Sequence, residues 1–271
     1  MKTMICLFLL SFGSWMQTKA QIVYNMDAAK SIAIAQNKLI IIDFWATWCG
    51  PCQAMEKALW SHEEFTPLMD RFVLLKIDID SNRDLAIKYG IRSIPRVMII
   101  TPNEDKLYDQ SGFRNADPFL KTFKAYPEDM SGLGQAMMPF VKSKKTEAED
   151  DYELASTLQN IGRLISDRIV AGAFLNLSNT YFKNAEKKAG DDNMKEMAML
   201  SRLRNEVYKG KHKATLKKLQ KLEGELDSEK SKELKEFIAA YCYKCEGNQK
   251  AVEEIKKNLT DEALLAELEK E

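Results

Sequence analysis

An apolar run of strand length, Leu39 to Ala46, carries a single acid, Asp43, and ends three residues before Cys49-Gly50-Pro51-Cys52. A strand without polar alternation has to be buried on both faces, so the chain must supply helices for each side of its sheet. Two further runs, 72–80 and 96–101, have the same character. Helical patterns lie before and between them: 25–38, from Cys49 to Trp60, and 84–90 with Gly90 beyond the end. Ser61 followed by Glu64 has the form of a capping box and predicts another short helix at 61–65. Residues 106–113 read as an edge strand, and Asp117-Pro118 as the start of a last helix. Strands separated by helices predict an α/β domain over 21–126, a mixed sheet with helices on both faces.

The character of the chain changes after Pro127. Residues 127–147 mix Gly, Pro, Met and charge and read as a linker, in which Met137-Met138-Pro139-Phe140 is expected to pack across a domain junction. From 148 to 271 no strand-like run occurs, and helical periodicity is punctuated by Gly190, Gly210, Gly224 and Gly247, which predicts an all-helical domain. "GKHKA" at 210–214 is echoed by "GNQKA" at 247–251, their glycines 37 residues apart. That spacing is close to the period of about 34 residues in tetratricopeptide repeats. With only two echoing units, a plain helical bundle fits equally well.

Lys and Arg total 40, as do Asp and Glu, a balance that excludes a strongly cationic nucleic-acid-binding surface as the main feature. Residues 1–20 have a basic start, a short apolar core and Ala20 before Gln21, the pattern of a cleaved signal peptide. Cys6 leaves with such a segment. The chain is expected to be periplasmic or secreted, with Cys49, Cys52, Cys242 and Cys245 as its four mature cysteines.

Cys49 stands where the second helix pattern begins. The positive end of a helix dipole and the free N–H groups of its first turn favour thiolate over thiol, so Cys49 is the expected nucleophile. Pro51 fits the first turn, where a missing N–H costs little. Cys52, one turn deeper, is placed to attack a mixed disulfide and release its partner. Asp43, alone in an apolar strand, is expected to have a raised pKa and to be able to carry a proton.

"DFWATWCGPC" (43–52) and "KYGIRSIP" (88–95) together resemble the thioredoxin superfamily, over about residues 22–126, and the branch resembled is that of exported thioredoxin-like thiol–disulfide oxidoreductases. The resemblance implies that Asp43 shuttles a proton for Cys52 and that Lys76 lies near that acid. It implies that Pro95 is a cis-proline lying against the cysteine pair. It also implies that Trp48, Gly50, Pro51, Ile94 and Pro95 form the substrate contact surface. Gly-Pro between the cysteines and Ile before Pro95 are the choices of reductants, so the expected activity is reduction or isomerisation of client disulfides by an enzyme of protein-disulfide reductase type. Such an enzyme needs no metal or other cofactor but must be recharged, which implies a membrane-embedded electron donor besides the disulfide-containing clients. The alternatives are a disulfide oxidase, or a binding protein whose helical half does the main work. In either case the helical half is a candidate for client binding or dimerisation.

Two positions depart from the pattern: no proline kinks the helix after Cys52, and Arg96 follows Pro95 where a small polar residue is usual. Cys242 and Cys245 share a helix face. They read first as small buried hydrophobes, with a second redox disulfide or a metal site as alternatives. The metal reading is weakened because only His62 and His212 could complete four ligands.

Overall fold

The structure, a computed structural model, describes residues 22–143, 145–222 and 224–270. The signal-peptide expectation and Cys6 lie outside them. A two-residue strand β1 (Ile22–Val23) precedes helix α1 (Met26–Gln36) and strand β2 (Leu39–Trp45). Helix α2 (Gly50–Met55), strand β3 (Phe72–Asp78) and helix α3 (Arg83–Lys88) come next. Strands β4 (Arg96–Ile100) and β5 (Lys106–Ser111) and helix α4 (Asp117–Lys124) complete the α/β part. The sheet order is β1-β3-β2-β4-β5, with β1, β2 and β3 parallel and β4 and β5 antiparallel to their neighbours.

The unalternating strands sort their side chains by parity. Leu39 and Ile41 of β2, Phe72 and Leu74 of β3, and Val97 and Ile99 of β4 enter one core with Met55, Trp60 and Phe123. Ile40, Ile42 and Phe44, with Val73, Leu75 and Ile77, enter the core on the opposite face against α1. Because side chains alternate along a strand, Asp43 and Lys76 fall on the first face. They are also direct register partners across the parallel β2–β3 pair.

Two sequence expectations are corrected here. The short helix at 61–65 does not form. Past Met55 the helix widens into a π-turn over Glu56–Trp60, closed by the Ser61 N–H donating to the Glu56 carbonyl at 3.2 Å. The Ser61 hydroxyl donates to that same carbonyl at 3.0 Å, so Ser61 ends a helix instead of starting one. A 3₁₀ turn over Thr66–Asp70 then leads into β3. The second correction concerns 127–147, whose middle forms helix α5 (Leu133–Lys142) packed against α1. There the Gly134 N–H donates to Asn37 Oδ1 at 2.9 Å.

The remainder is helical: α6 (Ala148–Arg163), α7 (Arg168–Lys188), α8 (Asp192–Tyr208), α9 (His212–Lys221), α10 (Glu229–Cys245), α11 (Gln249–Lys256) and α12 (Glu262–Glu269). Neighbours pack as successive hairpins, α6 on α7, α8 on α9, and α10 on α11. The sequence echo marks equivalent helix ends. Gly210 and Gly247 have φ of 80° and 77°, the left-handed region glycine adopts without steric cost. After α8, the Gly210 and Lys211 N–H groups close on Val207 and Glu206. After α10, Gly247 and Asn248 close in the same way on Lys244 and Tyr243, a Schellman motif in both cases. The core beneath the sheet continues through Phe123, Tyr126 and Met137 into Leu154, Phe174 and Phe182 of α6 and α7. A separate cluster holds α8 to α12 together.

Candidate functional site

Strand β2 ends at Trp45, and a tight turn, with the Cys49 N–H on the Ala46 carbonyl at 3.1 Å, brings the chain to α2. Cys49 is the N-cap of α2: its backbone is extended and its Sγ accepts the Cys52 N–H at 3.2 Å. The helix thus directs a backbone N–H at the sulfur, the arrangement that favours a thiolate there. Pro51 lies in the first turn, as expected. Cys49 and Cys52 form a disulfide, and their residues are only 4% and 5% exposed. Ala46, Trp45, Ile79 and Ile94 pack around the pair. The Ile94–Pro95 peptide bond is cis. The Pro95 carbonyl accepts the Gly112 N–H at 2.8 Å, which ties this loop to the end of β5. Trp48 stands 66% exposed at the rim, and its indole N–H donates to Asp80 at 2.8 Å.

Behind the disulfide, Asp43 is buried. Its Oδ2 accepts the Trp60 indole N–H at 2.9 Å and lies 3.7 Å from Lys76 Nζ, while Oδ1 has no hydrogen-bond partner. Burial pushes its pKa up to about 7, against the opposing pull of Lys76 and Trp60. Asp43, Lys76 and Cys52 line one cleft of about 470 Å³ with Trp45, Gln53 and Glu56. A proton can therefore pass between Cys52 and Asp43 without crossing the apolar core, the unpartnered oxygen being a ready acceptor for it.

Glu56 is the residue sequence reasoning missed. It binds Lys76 directly and adds a negative charge that raises the Asp43 pKa further. It sits on the π-turn, and its pairing with a strand residue twenty positions away has no local sequence signature. A lone acid four positions after the second cysteine was the one available signal. The departure at Arg96 also has a local account. Its guanidinium grips Asp109 through two bonds of 2.7 and 2.8 Å between β4 and β5, a bidentate pair that a small residue cannot form. Ile94 packs against the disulfide, Gly50 and Pro51 lie between its cysteines, and Trp48 and Pro95 are the chain neighbours of Cys49 and Ile94, whereas Cys242 and Cys245 lie on α10.

Neither of those two cysteines is disulfide-bonded. Cys242 is fully buried in the core of the second cluster, where burial pushes its thiol pKa up to about 12. Cys245 is exposed, so the pair does not share one buried face as expected.

A mixed sheet between helices, with a Cys-x-x-Cys pair at the start of a helix, defines a class of protein that sequence comparison makes specific. The Thioredoxin family model matches residues 21–125. Thioredoxin-1 of Drosophila melanogaster is 40% identical over 77 residues, which cover 28% of this chain and 70% of that protein. Thioredoxin-T of the same organism is 37% identical over 76 residues, 27% of this chain and 46% of its own length. Among solved structures, the germline-specific thioredoxin Deadhead of Drosophila melanogaster is 34% identical, covering 39% of this chain and 96% of that one, with a TM-score of 0.32. The chain belongs to the thioredoxin superfamily. Its fold and its Cys49–Cys52 pair support thiol–disulfide oxidoreductase activity, with disulfide-containing proteins as the substrates that such a fold suggests.

Proposed function

We propose that the protein is an exported reductase or isomerase of protein disulfides. The observation that carries this reading is the placement of Cys49 Sγ on the Cys52 N–H at the start of α2, with Asp43 buried behind the pair. In the reduced protein the Cys49 thiolate attacks one sulfur of a client disulfide. An S–S bond forms between Cys49 and the client, and the client's other sulfur leaves as a thiolate and takes up a proton. The Cys52 thiol then gives its proton to Asp43 and attacks Cys49 Sγ. That step forms the Cys49–Cys52 disulfide and expels the second client thiolate. Two electrons have moved to the client, and a dithiol donor must return them. We assign that role to a membrane-embedded partner, in keeping with the signal-peptide pattern at residues 1–20 and a periplasmic or secreted location.

Gly-Pro between the cysteines and Ile94 before Pro95 support the reducing direction. Equilibrating the mature protein against glutathione, with thiol trapping and mass spectrometry, measures the potential of Cys49–Cys52 separately from Cys242 and Cys245. The expected value is near that of thioredoxin, about −270 mV. A value above about −180 mV, that of an isomerase, would make the protein an oxidant of its clients and sink the reductase reading.

A further inference from the structure

We propose that clients bind as extended chains in a groove that runs from the redox disulfide along β5 to the first turn of α7. The helical half then forms the far end of the substrate site. This rests on the oxidoreductase reading above and names the substrate form: an unfolded, apolar segment flanked by acidic side chains.

The groove begins at Gly112, whose N–H is fixed to the Pro95 carbonyl, one residue past the Ile94 that packs against Cys49 and Cys52. Its first stretch is a cleft of about 850 Å³ between β5 and α4, in which Gln110, Phe113, Arg114 and Phe119 take part. The Phe113 and Phe119 rings lie 5.9 Å apart and make its floor apolar. A second cleft of about 320 Å³ continues from it, sharing Tyr108, Pro118 and Thr122 with the first. Its far wall is Ile169 and Val170 at the start of α7. Ile169 is 84% exposed, a large apolar side chain presented to solvent at that wall.

Three observations select the occupant. First, β5 is an edge strand, and Gln110 and Ser111 at its open end are exposed, so an extended chain can add to it by backbone hydrogen bonds. Second, Gly112 at the mouth of the groove is bonded to Pro95, the residue after the Ile94 that packs on the cysteine pair, so a chain lying in the groove can present its disulfide to Cys49. Third, the charge of the groove is positive. Arg114 and Lys121 have no ion-pair partner among the described residues. Of the acids nearby, Asp109 is engaged by Arg96 and Lys106 and Asp167 by the N–H groups of Ile169 and Val170 that it caps, while Asp117 lies exposed at the start of α4. An acidic client segment completes these charges, and a basic one does not.

The test uses the full-length protein and one probe. The probe is a fluorescein-labelled peptide of about twelve residues, ~40 Å when extended. It alternates Val and Thr, has an Asp at each end, and carries one central Cys in mixed disulfide with glutathione. Anisotropy with the oxidised protein reads binding without any redox step. Turnover by the reduced protein, as the ratio of the peptide rate to the rate with oxidised glutathione, reads use of the groove. Ile169→Glu and Arg114→Glu should each weaken binding, and lower the ratio, by about fivefold or more. Ile87→Glu, at an equally exposed position on α3, should change neither.

Absent or variant-insensitive binding overturns the proposal. So does self-association of the protein that Ile169→Glu abolishes, because the face would then belong to a second copy. Binding that responds to the variants without reduction of either disulfide would leave the groove standing and overturn the oxidoreductase reading instead.

Discussion

Asp43 shows how far one residue can depart from its ordinary chemistry when a sheet surrounds it. Its carboxyl is 2% exposed and its pKa is raised from 3.8 to about 7, chiefly by burial. The folded protein therefore binds a proton more tightly than the unfolded chain does. The stability associated with this site is fully present below about pH 4 and is lost as pH rises through about 7, a loss on the order of 4 kcal/mol. Urea melts should show Asp43→Asn gaining stability relative to the native protein across that window, and no difference in slope would sink the assignment. In the mechanism proposed above, the same replacement removes the proton acceptor for Cys52. Reduction of a model disulfide should slow by up to about 100-fold and lose its inflection near pH 7. Glu56→Gln provides a signed control. Removing that negative charge lowers the Asp43 pKa, so the inflection should move to lower pH with the fold intact. A purely structural role for Glu56 would leave the inflection where it is.

At the scale of elements, the legible parts of the sequence were those where one physical demand acted alone. Runs such as Leu39–Trp45 read correctly because burial on both faces excludes polar alternation, and Gly90 marked the end of α3 through its backbone freedom. The failures came where two demands met in the same residues. Ser61 and Glu64 have the composition of a helix start, but the hydroxyl of Ser61 is used to close the π-turn that precedes it. Helix α5 was hidden by Gly132, Gly134 and Pro139, all poor helix formers, and forms because its apolar face packs on α1. Glycine is required at 134 for a reason the sequence cannot display: a Cβ there would lie 2.0 Å from the Ile34 carbonyl oxygen. Gly134→Ala, which helix propensity alone predicts to stabilise by about 1 kcal/mol, should instead destabilise by about 2–3 kcal/mol. Gly172→Ala on α7, where nothing lies within 4 Å, should stabilise by up to about 1 kcal/mol. Thermal or chemical melts of the pair check the sign, and equal effects at the two sites would show that the α1–α5 contact yields freely.

For the whole molecule, the boundary that composition marks near Pro127 is not where the packing divides. Tyr126 stacks edge-on against Phe174 of α7 at 6.0 Å, and Asp105 accepts the Tyr181 hydroxyl at 2.6 Å. The core that supports β2 to β4 is thereby the core of the α6–α7 hairpin too. The seam runs instead through α8, where Ala198 belongs to the first core and Leu200 to the second. A chain divided in this way should open in two cooperative units that differ from the two compositional halves. Phe174→Ala removes a fully buried ring from the first core and should cost about 3–5 kcal/mol. Native-state hydrogen exchange should then show faster exchange in β2, β3 and β4 together with α6 and α7. Phe237→Ala, equally buried in the second core, should speed exchange in α9 to α12 and leave the sheet protected. Were the sheet indifferent to Phe174→Ala, the two compositional halves would be independent folding units. The first helical hairpin could then move freely against the redox site. Coupled exchange means the opposite: the wall that α7 contributes beside β5 is held in place by the same core that holds Asp43 behind Cys52.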